Sequence, residues 1–88
     1  MKQQLVKRSE YVAYAKSLIA TSRSTIVDIE KDILDCYDKM KYAKEVKDSG
    51  LCRVMKAEIR ILRKKLKREQ RNLKDSEVLL VMIDKKLL

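Results

Sequence analysis

The sequence predicts an all-α protein, an antiparallel coiled-coil helical hairpin of two long helices with a turn near residues 47–51, self-associating into a four-helix bundle. Three observations lead there. The 88 residues hold no proline and a single glycine, Gly50, just past the midpoint. Apolar residues recur with a heptad period on both sides of it. With 40% charged and 45% hydrophobic residues and no Phe or Trp, the composition is that of long helices or a coiled coil. A chain this short supports one domain, 1–88, and buries a small share of its surface, so helix packing or oligomerisation must supply its stability.

Helix 1 is expected over about residues 3–48. With Leu5 at heptad position a, the a positions are Leu5, Val12, Ile19, Ile26, Ile33 and Met40, and the d positions Ala15, Ser22, Ile29, Cys36 and Ala43. Helix 2 is expected over about 52–87. Cys52, Ile59, Leu66, Leu73, Leu80 and Leu87 take its a positions, and Met55, Leu62, Glu69, Ser76 and Ile83 its d positions. Each arm would be close to 70 Å long at about 1.5 Å per residue.

The turn is assigned to Gly50, because helices often end on a glycine in the left-handed conformation, where a residue with a β-carbon would be strained. That placement makes Val46 and Leu51 the apolar pair of a Schellman turn. An antiparallel reversal there pairs a positions whose residue numbers total 99 (Met40 with Ile59, Ile33 with Leu66) and d positions whose numbers total 98 (Cys36 with Leu62). The same register puts Ser22 opposite Ser76, so the two weakest seam positions share a layer. It also sets Asp32 against Lys65, Lys39 against Glu58, Arg23 against Glu77 and Lys16 against Asp84. Exposed pairs contribute roughly 0–1 kcal/mol each, so their value is specificity of register.

Helix 1 carries a second apolar row, at its b positions: Val6, Ala13, Ala20, Val27 and Leu34. A hairpin seam does not need it, so it is expected to meet a second copy of the chain, as a homodimer, or another protein. At the open end of the hairpin Tyr11, Tyr14 and Leu18 face Leu79 and Met82, and this end is the expected partner contact.

Net charge is +9, and residues 53–74 hold ten basic against two acidic side chains, so +8 of it lies in that segment. Residues 28–38 answer part of it with five acidic residues. Arg60, Lys64, Lys67, Arg68, Arg71 and Lys74 occupy b, c and f positions pointing away from helix 1, a row suited to polyanions such as the RNA or DNA backbone. Nothing in the run resembles a base-reading module, and all four tyrosines lie on helix 1, so such binding would follow charge and shape.

Enzymatic chemistry is not expected. The chain has no histidine, the commonest general base and metal ligand. Cys36 and Cys52 take separate seam layers, beyond disulfide reach, and act as small apolar fillers. The run "DIEKDILDCYD" lacks the spacing of a calcium loop, Glu69 is a solvated defect of the seam, and Ser22 and Ser76 have no base beside them. No catalytic residue, metal site, cofactor or small-molecule substrate is predicted.

The longest apolar run, "VLLVMI" at 78–83, is far short of the roughly 18 residues of a membrane span. With no signal peptide and two unpaired cysteines, an intracellular, cytoplasmic protein is expected, with the nucleoid or nucleus as further settings. The sequence thus reads as a non-enzymatic protein–protein interaction module, a small helical-hairpin regulator or inhibitor that uses its apolar open end and basic second helix. A nucleic-acid-binding regulator and a coiled-coil segment of a larger assembly protein are the alternatives.

Overall fold

The computed structural model describes residues 8–85, and in it two helices run side by side. Helix α1 spans Arg8–Glu45 and α2 spans Ser49–Asp84, 38 and 36 residues respectively. The molecule is 70 Å long and 21 by 14 Å in cross-section, the dimensions of one layer of two packed helices. The expected helical residues 3–7, 86 and 87, and with them Leu5, Val6 and Leu87, lie outside the described residues.

The heptad governs burial. Every buried residue of α1 (Ala15, Ile19, Ser22, Ile29, Cys36, Ala43) and of α2 (Ile59, Leu62, Ser76, Ile83) occupies an a or d position. The remaining seam residues, from Val12 to Leu80 and including Glu69, are half-buried. In α1 the d row is buried from Ala15 to Ala43. Four of its members are Ala, Ser, Cys and Ala, and such small side chains let α2 approach closely and close over them. Around Cys36 and Leu62, Ile29 and Ile59 complete the densest part of the core, with Ile33, Met40, Met55 and Leu66 packed against it. Each Leu or Ile withdrawn from water there contributes about 1.5–3 kcal/mol, several times an exposed ion pair, so the seam decides the register.

Ser76 and Ser22 are both buried. The Ser76 hydroxyl donates to the Asn72 carbonyl at 2.9 Å, which satisfies it inside its own helix.

The reversal departs from expectation in one respect. The left-handed residue is Lys47, with φ 59°, and not Gly50. Asp48 N–H donates to Ala43 O at 2.8 Å and Lys47 N–H to Lys44 O at 3.2 Å, the paired bonds of a Schellman turn set three residues earlier than Gly50 would place it. The physical reason is Asp48. Its carboxylate accepts from Leu51 N–H at 3.0 Å and caps α2, so α2 starts at Ser49 and Gly50 falls inside its first turn. A lysine at positive φ costs about 1–2 kcal/mol, which the cap and the continuous seam outweigh. Val46, expected to pair with Leu51 across the turn, is 51% exposed.

Of the four expected ion pairs one closes, Arg23 Nη2 to Glu77 Oε2 at 3.5 Å. Asp84 is taken by Arg8 instead of Lys16. Arg8 donates from Nε to Ile83 O at 3.1 Å and from Nη2 to Asp84 O at 2.5 Å, and stands 3.8 Å from the Asp84 carboxylate. A cation on the last carbonyls of α2 offsets the negative end of the helix dipole. Asp32 with Lys65 and Lys39 with Glu58 form no ion pair within bonding distance.

Candidate interaction surfaces

The two helices leave two long faces, separated by the seam. One is bridged by e positions: Arg23 meets Glu77, and the Arg63 guanidinium lies 5.9 Å from the Tyr37 ring centroid while donating to the Tyr37 hydroxyl. The other is bridged by g and c positions, where Asp32, Asp35 and Lys39 of α1 line a shallow open groove with Val54 and Glu58 of α2.

On the e side, the b row of α1 is exposed. Ala13, Ala20, Val27 and Leu34 all face solvent, Leu34 at 64%, with exposed Lys41 next in the row, and the row lies beside the b row of α2, which is Arg53, Arg60, Lys67, Lys74 and the exposed Val81. The apolar and basic rows that the sequence places on different helices therefore share one face. Position b sits about 100° round each helix from a, and e lies between them, so e–e contacts bring both b rows to the same side.

At the open end the predicted residues divide into two groups. Leu18, Leu79 and Met82 are half-buried, packed at the edge of the seam, whereas Tyr11 and Tyr14 are exposed, Tyr14 at 60%. Val78 and Val81 add to this surface, with Val78, Val81 and Met82 lining a shallow depression beside Lys74 and Glu77. All six residues of the predicted polyanion row, Arg60, Lys64, Lys67, Arg68, Arg71 and Lys74, are exposed. None of them forms an ion pair among the described residues.

Sequence reasoning missed two exposed apolar residues on α2, Val54 and Ile61. Val54 and Ile61 stand seven residues apart at c positions, a spacing as visible as that of the helix 1 row. Arg8 was also missed, because an arginine at a d position reads as a seam defect and only the chain reversal brings it to the end of α2.

The thiols differ in setting. Burial pushes the Cys36 thiol up from its ordinary range; Glu58, Asp32 and Asp35 act in the same direction and Lys39 opposes them. Cys52, half-buried at the turn, has its sulfur 3.9 Å from Met40 O. Both cysteines are free. Among the described residues no cluster of His, Cys, Asp or Glu could hold a metal ion, and no helix is long and apolar enough to cross a membrane. Among the described residues the surface depressions are shallow and open.

No family model matches this chain, and neither a curated protein nor a solved structure is significantly similar to it.

Proposed function

We propose that this chain is a non-enzymatic protein–protein interaction module, a small helical-hairpin regulator or inhibitor that holds its partner through apolar surface beside basic residues. One observation carries the reading: Val27 and Leu34 on the face bridged by e positions, and Tyr11 and Tyr14 toward the open end of the face bridged by g and c positions, are exposed although the seam is complete without them. Large apolar residues aligned in rows on an exposed helix face are what a helix-in-groove contact uses. The test is sedimentation velocity and affinity capture from the native host with wild type and with a Val27→Asp/Leu34→Asp variant. The variant is expected to keep its helical circular dichroism and lose what wild type associates with. Equal association by both would remove the reading.

A second reading, nucleic-acid binding through α2, is favoured by the six exposed basic residues, unanswered by neighbouring carboxylates at bonding distance. Such binding would release counterions and weaken steeply with salt. Fluorescence anisotropy with a labelled DNA duplex and a hairpin RNA at low salt tests it, and no binding there would end it. A Lys64→Gln/Arg68→Gln/Arg71→Gln variant, changed at f and c positions away from the b row, would lose this binding while leaving apolar association intact.

A further inference from the structure

The face bridged by the e positions has a more specific character than either of its rows alone. Its apolar row from Ala13 to Leu34 and its basic row from Arg53 to Lys74 both repeat every seven residues, a step of about 10.5 Å, and both cover 21 residues, about 31 Å. Two straight rows of equal pitch match the spacing of a third helix laid along the pair, whose own a and d residues recur at that step. Small Ala13 and Ala20 permit close approach toward the open end, and Val27 and Leu34 supply apolar area toward the middle.

Charge specifies the occupant. The acidic residues at e and b positions of this face are Glu30, Glu77 and Asp84, and the last two are already paired, with Arg23 and Arg8. In the seam register Lys74 stands exposed across from Val27 and Lys67 across from Leu34, with Arg60 two turns further toward the reversal.

We propose, resting on the interaction-module reading, that this face is the docking site for one helix of a partner protein that is apolar at its a and d positions and acidic along its flank. Its apolar stripe lies on the row ending in Val27 and Leu34, and its carboxylates meet Arg60, Lys67 and Lys74. A second copy of the chain fits less well. Presenting the same face, it brings its own Lys67 and Lys74 into the contact; presenting the opposite face, where Asp28, Asp32, Asp35, Glu58 and Asp75 stand among Lys39, Lys65 and Arg68, it makes a heterologous contact, which ends in a ring or an open filament and not in a pair. A nucleic-acid duplex would meet the basic row but leave the apolar row against charged phosphates, with nothing to bury it.

The test uses the full chain and a labelled synthetic peptide of five heptads with Leu at a and d and Glu at e and g. Its acidic flanks keep it from pairing with itself. A matched peptide with Lys at e and g and a labelled DNA duplex are the comparisons. The acidic peptide is expected to bind by anisotropy and gain helix, and the Lys peptide not to. Lys67→Glu/Lys74→Glu should weaken binding about tenfold or more, and Lys65→Glu/Arg68→Glu, an equal change of charge on the other face, by less than about threefold. Val27→Asp/Leu34→Asp should abolish it with helicity unchanged.

Equal binding of both peptides, equal loss with both reversals, or a duplex that displaces the peptide and binds more tightly would overturn the assignment. So would a dimer that the Val27→Asp/Leu34→Asp pair converts to monomer, although that result leaves the interaction-module reading in place. A chain that stays monomeric, binds neither peptide and captures no host protein brings down both.

Discussion

Ile29 and Leu34 lie five residues apart on α1, are of similar size and belong to rows with the same seven-residue period, yet Ile29 is 7% exposed and Leu34 64%. The difference is the partner helix. Position d faces α2 and position b faces away, so one row stabilises the hairpin and the other is left as surface. Composition cannot separate the two roles. The wheel position relative to a single seam does, and it divides the molecule into residues that hold the fold and residues available to a partner.

The comparison breaks hardest at the centre of the core. Leu62, 4% exposed and packed with Ile29, Cys36 and Ile59, should cost about 2–5 kcal/mol as Leu62→Ala. Leu34→Ala removes the same atoms from a solvated site and should change stability by less than about 0.5 kcal/mol. Urea unfolding followed by circular dichroism measures both. Similar losses for the two variants would mean that the b row is covered within the folded molecule in solution, by self-association.

The turn sharpens the same distinction between what the seam requires and what is incidental to it. A β-carbon added at Gly50 would meet only Asp48 Oδ1, at 3.5 Å, an ordinary contact, and the backbone there is helical. Gly50→Ala should therefore stabilise the protein by about 0.5–1 kcal/mol. Lys47→Gly should also stabilise it, because it relieves a side chain held at positive φ. Asp48→Ala should cost about 0.5–2 kcal/mol by removing the cap. A loss of stability in Gly50→Ala would return the reversal to the glycine.

Much of this architecture was legible in the chain. The heptads name every buried residue, and the register that opposes Ser22 to Ser76 is the one in which both are buried. The turn was legible only in part. Glycine is the stronger single-residue signal, but Asp48 followed by Ser49, Gly50 and Leu51 is an N-cap pattern, and a cap that satisfies a backbone N–H fixes the helix start more firmly than a glycine fixes an end. The ion pairs were the least legible. Long exposed side chains choose among neighbours at little energetic difference, and Asp84 bonds to Arg8, which also reaches the carbonyls of Ile83 and Asp84. The sharing of one face by the apolar and basic rows required the e–e contacts to be seen.

The smallest effect concerns the one titratable group buried in the seam. In the folded chain the Cys36 thiol resists ionisation, chiefly through burial, and Glu58, Asp32 and Asp35 reinforce this against Lys39. The unfolded thiol ionises near the ordinary value of about 8.5. As pH rises past that value the unfolded chain loses a proton that the folded chain keeps, so the contribution is fully present below it and is lost as pH climbs toward the folded pKa. Wild type should lose stability relative to Cys36→Ala between about pH 8 and 10. The two chains differ in no other ionisable side chain, so the difference isolates Cys36. The same burial should make Cys36 slower than half-buried Cys52 toward iodoacetamide at pH 8, by mass spectrometry of the labelled peptides. Equal labelling rates would place Cys36 outside the seam and with it the d row that the comparison of Ile29 with Leu34 depends on.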